Sequence, residues 1–322
     1  MPREMQFDYP YLEDYGAELV HLMDYPEPDV KEWTALNPSV GYSEEDGHIC
    51  LIRSSNYKIN PTTRDFEILT SGEIRTRIWV CNLDSKTWKV SNLRQITMIG
   101  GPAVPRGIED ARLFRRDGVW YLHGVMLERA HTVPARLAVY RLDLETNEAH
   151  FIEKLEGPNM DRPEKNWMTS FNAANPNFDY IYSPTGILKD GLFISRPNTN
   201  AEISLVRGGS SLLELEGGGY LAVTHTVYDK KEKIIEDGYI KQKMFRRYTQ
   251  QFVRYDNYGK IIELSPEFLF EGYSVEFAAG LSEAGDNFVI SYGVEDSSAG
   301  LAIIPKKNVM EMLYPADESE DW

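Results

Sequence analysis

The stretch IEDARLFRRDGVWYLHGV, at residues 108–125, is typical of two β-strands joined by a tight turn. Apolar and aromatic residues dominate both halves, and the Asp117-Gly118 pair between them suits a two-residue hairpin. A Gly-containing turn followed by such a β-prone run occurs five times, at 46–54, 117–125, 190–198, 218–226 and 285–293. We interpret these five runs as an internal repeat.

A second short element lies upstream of each run and completes a unit of strand, turn and returning strand, at 37–40, 108–114, 182–186, 208–212 and 276–281. One such unit cannot bury both of its faces, whereas units stacked in a ring can. The sequence therefore predicts an all-β protein, a five-bladed β-propeller, whose inner strands bring polar residues to one central funnel. Amphipathic stretches near 15–23 and 308–313 predict short terminal helices.

We expect three parts in the chain: an N-terminal extension at 1–34 that packs on the propeller, the catalytic propeller at 35–306, and a short helix with an acidic tail at 307–322. The segment at 229–247 is rich in charged residues. It predicts a long hairpin or loop that leaves the body of the propeller.

The charge balance excludes some classes of partner. The chain has 34 Lys and Arg residues against 50 Asp and Glu residues, which gives a net charge of −16. Nucleic acids and anionic membranes select basic surfaces, so we expect neither as a partner. No apolar run approaches the ~20 residues that span a bilayer. The N-terminus lacks the layout of an export signal, so we expect a cytoplasmic protein. The sequence leaves open whether the protein forms a homo-oligomer.

The sequence predicts no cofactor and no catalytic metal. It contains neither an HExxH motif nor the Cys and His spacing of a zinc site. Its two cysteines, Cys50 and Cys81, make no disulfide framework. The glycines at 208–220 are not followed by the Gly-Lys-Ser/Thr of a phosphate loop, and they suit tight turns instead.

An adjacent pair of carboxylates, Glu109 and Asp110, lies in the first stretch quoted above. Neighbouring residues of a strand point to opposite faces, so we expect only one of the two in a central cavity. Arg112 shares the face of Asp110 and is placed to hold its carboxylate. Asp110 is a candidate general acid if the cavity raises its pKa. A surface ion pair is the alternative.

Two further groups of residues suit a sugar phosphate. Lys165, Asn166 and Trp167 combine a cation, an amide and a flat apolar ring, as a sugar site requires, although a buried Trp with solvated neighbours is equally compatible. Potential cations also recur at motif or repeat-equivalent positions of this acidic chain: Arg53, Lys165, Arg196 and His225. If these side chains converge, they form an anion site suited to phosphate; separately solvated side chains are the alternative.

In its motifs and their order, the chain resembles glycoside hydrolase family 130 over residues 37–304. The related glycosyltransferase family 108 is similar. The matching motifs are Asn37-Pro38, Arg53, Glu109-Asp110-Ala111-Arg112, Lys165-Asn166, Ser195-Arg196-Pro197, His225 and Gly293-Val294-Glu295-Asp296. The resemblance implies a five-bladed propeller enzyme, an inverting phosphorylase or a transferase of β-mannosides.

The resemblance also implies residue roles. Asp110 matches the general acid, whose proton is thought to pass through a hydroxyl of the bound mannose. Lys165, Arg196 and His225 match the phosphate-binding positions. Asp296 matches a carboxylate that binds hydroxyls of the reacting sugar, Asn37 lies at the cavity floor, and Arg53 lines the funnel. We expect four further residues to bind the substrate: Glu109, Arg112, Asn166 and Trp167. The implied partners are an oligosaccharide or sugar phosphate and inorganic phosphate.

Two departures from the family pattern leave the substrate and the direction of reaction open. Ala111 replaces the usual Pro, and Ser195 stands where His commonly precedes Arg-Pro. Three alternatives therefore remain beside the phosphorylase: a sugar-nucleotide-dependent β-mannosyltransferase, a hydrolase and a non-catalytic glycan-binding propeller. A protein-interaction propeller is a fourth, and it predicts a funnel without converging cations.

Overall fold

The computed structural model describes residues 9–22, 33–59, 66–70, 72–126, 135–159, 161, 163–170, 177–195, 201–236 and 239–316. Side chains are not described at 66, 201–202, 230–236 and 239–245. The described residues form five blades of mainly antiparallel strands arranged as a β-propeller, which confirms the predicted fold class.

The N-terminal residues and the first blade come first along the chain. A 3-10 helix at Leu12–Tyr15 precedes β1 (Glu18–His21). The elements of the first blade are β2 (Thr34–Ser43), β3 (Gly47–Ser55), β4 (Tyr57–Ile59), β5 (Phe66–Ile68), β6 (Thr76–Leu83) and β7 (Val90–Gln95). The blade has the strand order β2-β3-β6-β7, and β4 pairs with β5 in a separate two-stranded sheet.

The second and third blades follow the same plan with one difference. The second blade contains β8 (Thr97–Ile99), β9 (Ile108–Arg116), β10 (Val119–Met126), β11 (Arg136–Asp143) and β12 (Glu148–Leu155), with β9 innermost. The third contains β13 (Tyr180–Ser183), β14 (Gly186–Lys189) and β15 (Leu192–Ser195). The segment at 166–170 lies next to β13, nearer the centre of the propeller, and its Met168 pairs antiparallel with Ile181.

The last two blades follow helix α1 (Ala201–Leu205). The fourth contains β16 (Leu213–Glu214), β17 (Tyr220–Glu236), β18 (Tyr239–Tyr255) and β19 (Ile261–Leu264). The fifth contains β20 (Glu276–Ala284), β21 (Asn287–Val294) and β22 (Ser298–Pro305). Helix α2 (Lys306–Met312) then leads to β23 (Tyr314–Pro315), which pairs with β19.

The ring is closed by pairing between the two ends of the chain. β1 pairs antiparallel with β22, from Glu18 opposite Ile303 to His21 opposite Gly300. The helix predicted near 15–23 is therefore wrong: the amphipathic residues form a 3-10 turn and then a strand. An open edge of β22 would leave its backbone N–H and C=O groups unpaired, and β1 supplies their partners.

The repeat pattern predicts the wrong hairpin for one of the five units. In four blades the Gly-containing turn joins the innermost strand to the second, as the repeat predicts. In the third blade, Asp190 and Gly191 instead join the two outer strands, β14 and β15. The inner element of that blade is 166–170 rather than 182–186. A tight turn has the same local sequence in any hairpin of a blade, so its composition does not indicate which strands it connects.

Buried serines connect the inner strands of different blades. Ser39 Oγ accepts from Leu113 N at 2.9 Å and donates to Ala279 O at 3.0 Å. Ser211 Oγ donates to Leu113 O at 3.0 Å. Hydroxyl groups thus satisfy buried backbone polar atoms between these blades, and a backbone bridge between Ser170 and Leu212 joins the third and fourth blades. These bonds fix the blades around the central funnel.

Aliphatic and aromatic side chains of neighbouring blades fill the space between them. One cluster is built around the second blade and includes Leu113, Leu122, Tyr140 and Trp167. Another joins the fourth and fifth blades and includes Val223, Phe252 and Ile290. Within the described ranges, no helix is long and apolar enough to cross a membrane.

Candidate active site

A cavity of about 500 Å³ lies at the N-terminal ends of the inner strands, on the far side of the propeller from most of the Gly-containing turns. Eight residues that the sequence indicated line it: Asn37, Arg53, Glu109, Asp110, Lys165, Asn166, His225 and Asp296. Six further lining residues were not predicted: Tyr57, Ile59, Arg246, Tyr248, Val275 and Phe277. The structure thus brings together side chains that are separated by up to 259 positions along the chain, from 37 to 296.

Four of the lining residues have left-handed backbone conformations. The φ angles are 43° at Asn37, 48° at Asp110, 62° at Asn166 and 50° at Asp296. Asn and Asp tolerate this region better than other residues with a Cβ, and such positions concentrate at functional sites. The same local geometry therefore presents a short polar side chain to the cavity from three inner strands and from the turn after β21.

The bulge at Asp110 corrects the prediction that only one carboxylate faces the cavity. Glu109 pairs with Val125 and Arg112 pairs with His123, so two residues of β9 lie opposite the single residue Gly124. The extra residue breaks the alternation of side chains along the strand, and both Glu109 and Asp110 line the cavity. A Cβ at position 124 would lie 2.8 Å from Glu109 O, so the bulge requires glycine there.

Arg53 lies at the centre of the carboxylate cluster. Its side chain is 3% exposed, and it donates from Nη1 to Asp110 Oδ1 and from Nη2 to Glu109 Oε1, each at 2.9 Å. Its Nε donates to Thr76 Oγ1 at 3.0 Å, and Nη2 also reaches the hydroxyl of Tyr57 at 3.3 Å. Arg53 is thus held on three sides and is the main cation of the cluster.

Asp110 is ionised at neutral pH. Burial raises the pKa of its carboxyl, but the charge of Arg53, the amide of Asn37 and the charge of Arg112 together bring the pKa below its ordinary value. Asn37 Nδ2 donates to Oδ1 at 2.7 Å. The second oxygen, Oδ2, accepts no hydrogen bond from the part of the chain that the structure describes. The condition set for a general acid, a raised pKa, is therefore not met in the unliganded protein.

Asp296 retains a proton more readily than Asp110. Burial raises its pKa, Arg53 opposes that shift, and the negative charges of Asp110 and Glu109 raise it further, to about 6. The Tyr57 hydroxyl donates to Asp296 Oδ2 at 3.3 Å. Two carboxyl groups of one cavity thus differ in protonation near pH 6, because only Asp110 is bonded to Arg53.

The raised pKa of Asp296 has a consequence for stability. Between the ordinary Asp pKa and about 6, the folded state binds more protons than the unfolded state, so stability falls as pH rises through this window. Asp296→Asn removes the group that must ionise, and we expect it to raise the free energy of unfolding at pH 7 by about 1–2 kcal/mol. The gain should vanish near pH 4. Urea titrations at both pH values measure it; a gain of equal size at both would contradict the assignment.

Arg112 supports the cavity from behind and does not line it, which corrects its predicted role. The side chain is fully buried, and it donates from Nη2 to Asn166 Oδ1 at 3.1 Å and from Nη1 to the backbone O of Asp110 at 3.3 Å. Its Nε donates to Gly209 O. Arg53, rather than Arg112, holds the carboxylate of Asp110, because the bulge turns that carboxylate away from Arg112.

Trp167 presents no ring face to the cavity, contrary to prediction. It is 0% exposed, and its ring lies 5.9 Å from the rings of Tyr180 and Phe193 within the third blade. Its Nε1 donates to Glu164 Oε2 at 3.0 Å. The left-handed backbone of Asn166 directs the amide to the cavity and the following indole into the core. Aromatic surface in the cavity comes instead from Tyr57, Tyr248 and Phe277.

The predicted cation set is only partly assembled. Lys165 is exposed and lines the cavity. His225 is buried between Tyr248, on which it stacks at 5.1 Å, and Phe277. Burial, then the charges of Arg112, Lys165 and Arg207, lower the pKa of His225 to about 3, so it is a neutral imidazole and not a cation. Arg196 lies outside the described residues.

Arg246 adds a cation that sequence reasoning missed. It comes from β18, in the segment predicted to leave the body of the propeller, yet its side chain lines the cavity. Its Nε and Nη2 donate to the two carboxylate oxygens of Asp229 at 2.8 and 3.2 Å. No spacing in the sequence identifies it; the strand register places it opposite Asp229, and Tyr248 follows two positions later on the same strand.

The cavity therefore combines two kinds of chemistry. Around Arg53 lie the ionised carboxylate of Asp110, the carboxyl of Asp296, which titrates near pH 6, and the amide of Asn37. The two carboxyl groups can accept or give protons, and all three groups can bind hydroxyl groups. Lys165, Arg246 and the neutral His225 supply donors suited to an oxyanion. Within the described ranges, no group of three or more His, Cys, Asp or Glu side chains is arranged to hold a metal ion.

Comparison with known proteins finds similarity in structure alone. No protein-family model matches the sequence, and no curated protein matches it. The fold is similar to that of the β-1,2-mannobiose phosphorylase from Listeria innocua, solved with β-1,2-mannobiose, with a TM-score of 0.58 and 14% identity over 94% of this chain and 98% of that chain.

Two structures from Leishmania mexicana are also similar. The GDP-Man-dependent mannosyltransferase MPT-1 has a TM-score of 0.58 and 12% identity, over 94% of this chain and 92% of that chain. The mannose phosphorylase MPT-4, solved with a phosphate ion, has a TM-score of 0.51 and 13% identity, over 89% and 88%. The chain thus has the five-bladed propeller fold of mannoside phosphorylases of glycoside hydrolase family 130 and of a mannosyltransferase, as the sequence resemblance implied.

Proposed function

We propose that this protein is a carbohydrate-active enzyme that forms and cleaves β-mannosidic bonds, with phosphate as the group exchanged for a sugar hydroxyl. The observation that carries the proposal is the state of Asp110. Its carboxylate is held ionised by Arg53 and Asn37, and it faces the same cavity as Lys165 and Arg246. A base and an anion site in one cavity are what transfer from a sugar 1-phosphate requires.

In the bond-forming direction, the acceptor hydroxyl oxygen attacks the anomeric carbon of mannose 1-phosphate. The bond from that carbon to the phosphate oxygen breaks, and phosphate leaves with the bonding electron pair. Asp110 takes the proton of the acceptor hydroxyl, directly or through a hydroxyl of the bound mannose. A single displacement inverts the anomeric carbon, so an α-phosphate gives a β-mannoside. The cleaving direction is the reverse, and there Asp110 returns the proton as the general acid.

Other lining residues have supporting roles in this proposal. Asn37, Glu109, Asn166 and Asp296 bind sugar hydroxyls, to which amides and carboxylates donate or accept hydrogen bonds. Lys165 and the neutral His225 hydrogen-bond the phosphate. No second carboxylate is needed as a base in the cleaving direction, because phosphate is already an anion.

The ionised state of Asp110 favours the bond-forming direction in the unliganded protein. A base must be unprotonated to accept a proton, and the neighbours of Asp110 keep it so at neutral pH. Cleavage must begin from the protonated form, which these neighbours disfavour. We therefore expect synthesis to be faster than phosphorolysis near pH 7 at comparable substrate saturation.

The proposal is tested by three incubations, each followed by phosphate release or uptake and by chromatography of the sugars. The first contains α-mannose 1-phosphate and mannose, the second a β-linked manno-oligosaccharide and phosphate, and the third GDP-mannose and mannose. Turnover in the first two supports the proposal. Turnover only with GDP-mannose would replace it with a nucleotide-sugar transferase, and binding of mannosides without turnover in any arm would replace it with a glycan-binding propeller.

A further inference from the structure

The hairpin of β17 and β18 brings to the cavity two side chains that no sequence motif indicated, Arg246 and Tyr248. The two strands pair without interruption, from Tyr220 opposite Tyr255 to Glu236 opposite Tyr239. Asp229 and Arg246 lie opposite each other in this register, where the hairpin passes the cavity. The hairpin is therefore a wall of the site.

The ion pair between Arg246 and Asp229 contributes little to folding but fixes the guanidinium. The two side chains are 52% and 42% exposed, and exposed pairs of this kind are worth ~0–1 kcal/mol. Both carboxylate oxygens are engaged, by Nε and Nη2 of Arg246. Asp229 takes two of the five N–H donors and the guanidinium also hydrogen-bonds Tyr248, which leaves further donors for other acceptors. The pair thus holds a planar donor group at the cavity without occupying all of it.

The neighbours of Arg246 suit an anion with several acceptor oxygens. Tyr248 follows two positions later on the same strand, lines the cavity and stacks on His225. Lys165 lies close enough to His225 to lower its pKa, together with burial and other cations. Asp229 offsets the charge of Arg246, so Lys165 supplies the net positive charge at this part of the cavity. Guanidinium and ammonium groups together match the oxygens of a phosphate.

We propose that Arg246 binds the phosphate group of the second substrate. The inference rests on the proposed function in one respect only, that the anion entering this cavity is phosphate. It adds to the site a residue from an element outside the inner strands, so the hairpin contributes to recognition of the second substrate.

Titration calorimetry with inorganic phosphate and, separately, mannose 1-phosphate tests the proposal at a fixed ionic strength of about 0.1 M. We expect Arg246→Ala to raise the dissociation constant of both ligands about 10-fold or more, since a hydrogen bond to a charged group is lost. Arg246→Lys should give an intermediate value, because it retains the charge but loses the planar fork. Thermal unfolding checks that each variant is folded.

The matched control is Arg254→Ala. Arg254 lies on the same strand, pairs with Glu263 at 2.6 Å and does not line the cavity, so phosphate binding should be unchanged. Equal affinities of the wild-type protein and Arg246→Ala would overturn the inference, as would a wild-type protein that binds no phosphate. Loss of affinity in Arg246→Ala without any mannoside turnover would uphold the inference and reject the proposed function.

Discussion

An Asp110→Asn variant is expected to lose about 10²- to 10⁴-fold of the mannosyl-transfer rate, the usual contribution of general acid–base catalysis. The amide has the shape of the carboxylate but neither accepts a proton at neutral pH nor returns one. Asn tolerates the left-handed conformation of position 110, where φ is 48°, so the fold should be retained. The measurement is the initial rate of phosphate release from mannose 1-phosphate with a saturating acceptor.

The control for this variant is Asp117→Asn. Asp117 lies at the other end of the same strand, in an exposed turn, and has nearly the same backbone conformation, with φ of 49°. Asp117→Asn should change the rate of mannosyl transfer by less than about twofold. If Asp110→Asn retained most of the wild-type rate while remaining folded, Asp110 would not be the proton-transferring group.

Replacement of Arg53 by Met is expected to lower the free energy of unfolding by about 3 kcal/mol at pH 7. The variant leaves Asp110 and Glu109 without their cation in a cavity where their side chains are only 22% and 30% exposed. An unpaired, partly buried carboxylate destabilises the folded state by more than the intact ion pair stabilises it. Urea denaturation of the wild-type protein and the variant gives the difference.

The pH dependence of this loss distinguishes its cause. The folded-state pKa of Asp110 is below its ordinary value, so the stability gained from its neighbours is present above the unfolded pKa and is lost as pH falls through the folded pKa. In Arg53→Met the unpaired carboxyls favour the protonated form, so the deficit should shrink from pH 7 to pH 4. Arg115→Met, which breaks a pair with the exposed Glu45, should cost less than about 1 kcal/mol. A deficit in Arg53→Met that does not change with pH would point to lost packing instead.

The fold could be predicted because its repeating signal is local. A Gly-containing turn and the β-prone run beside it can be recognised from adjacent residues. In four of the five units, the turn joins the strands that the pattern indicated. The errors occurred where the local pattern has two structural meanings. Asp190-Gly191 joins two outer strands rather than an inner pair, and the amphipathic residues near 15–23 form the strand that closes the ring.

The candidate site could be predicted as a set of residues but not as a set of contacts. Asn37 and Asp110 reach the cavity from the innermost strands of their blades, as the ring predicts. Arg53 reaches it from a second strand, and Asp296 from the turn after one. The bulge at Asp110 reverses the expected alternation, and it depends on Gly124 in the neighbouring strand. Side-chain orientation after a left-handed residue is set by such pairing rather than by the local sequence.

Protonation states and the contribution of the hairpin depended on tertiary structure. His225 is neutral because it is buried near other cations, a property that its position after a turn does not reveal. Asp296 and Asp110 are both aspartates near the same arginine, yet their pKa values shift in opposite directions. Arg246 is one of several basic residues in its segment, and only the register of β17 and β18 places it at the cavity.

The anomeric configuration of the first product tests the central claim most directly. Proton NMR during the reaction of α-mannose 1-phosphate with mannose should show a β-linked disaccharide from the first time point, with one phosphate released for each bond formed. That result is the one predicted for a single displacement in which Asp110 takes the acceptor proton. An α-linked product, or phosphate release without a disaccharide, would contradict the account.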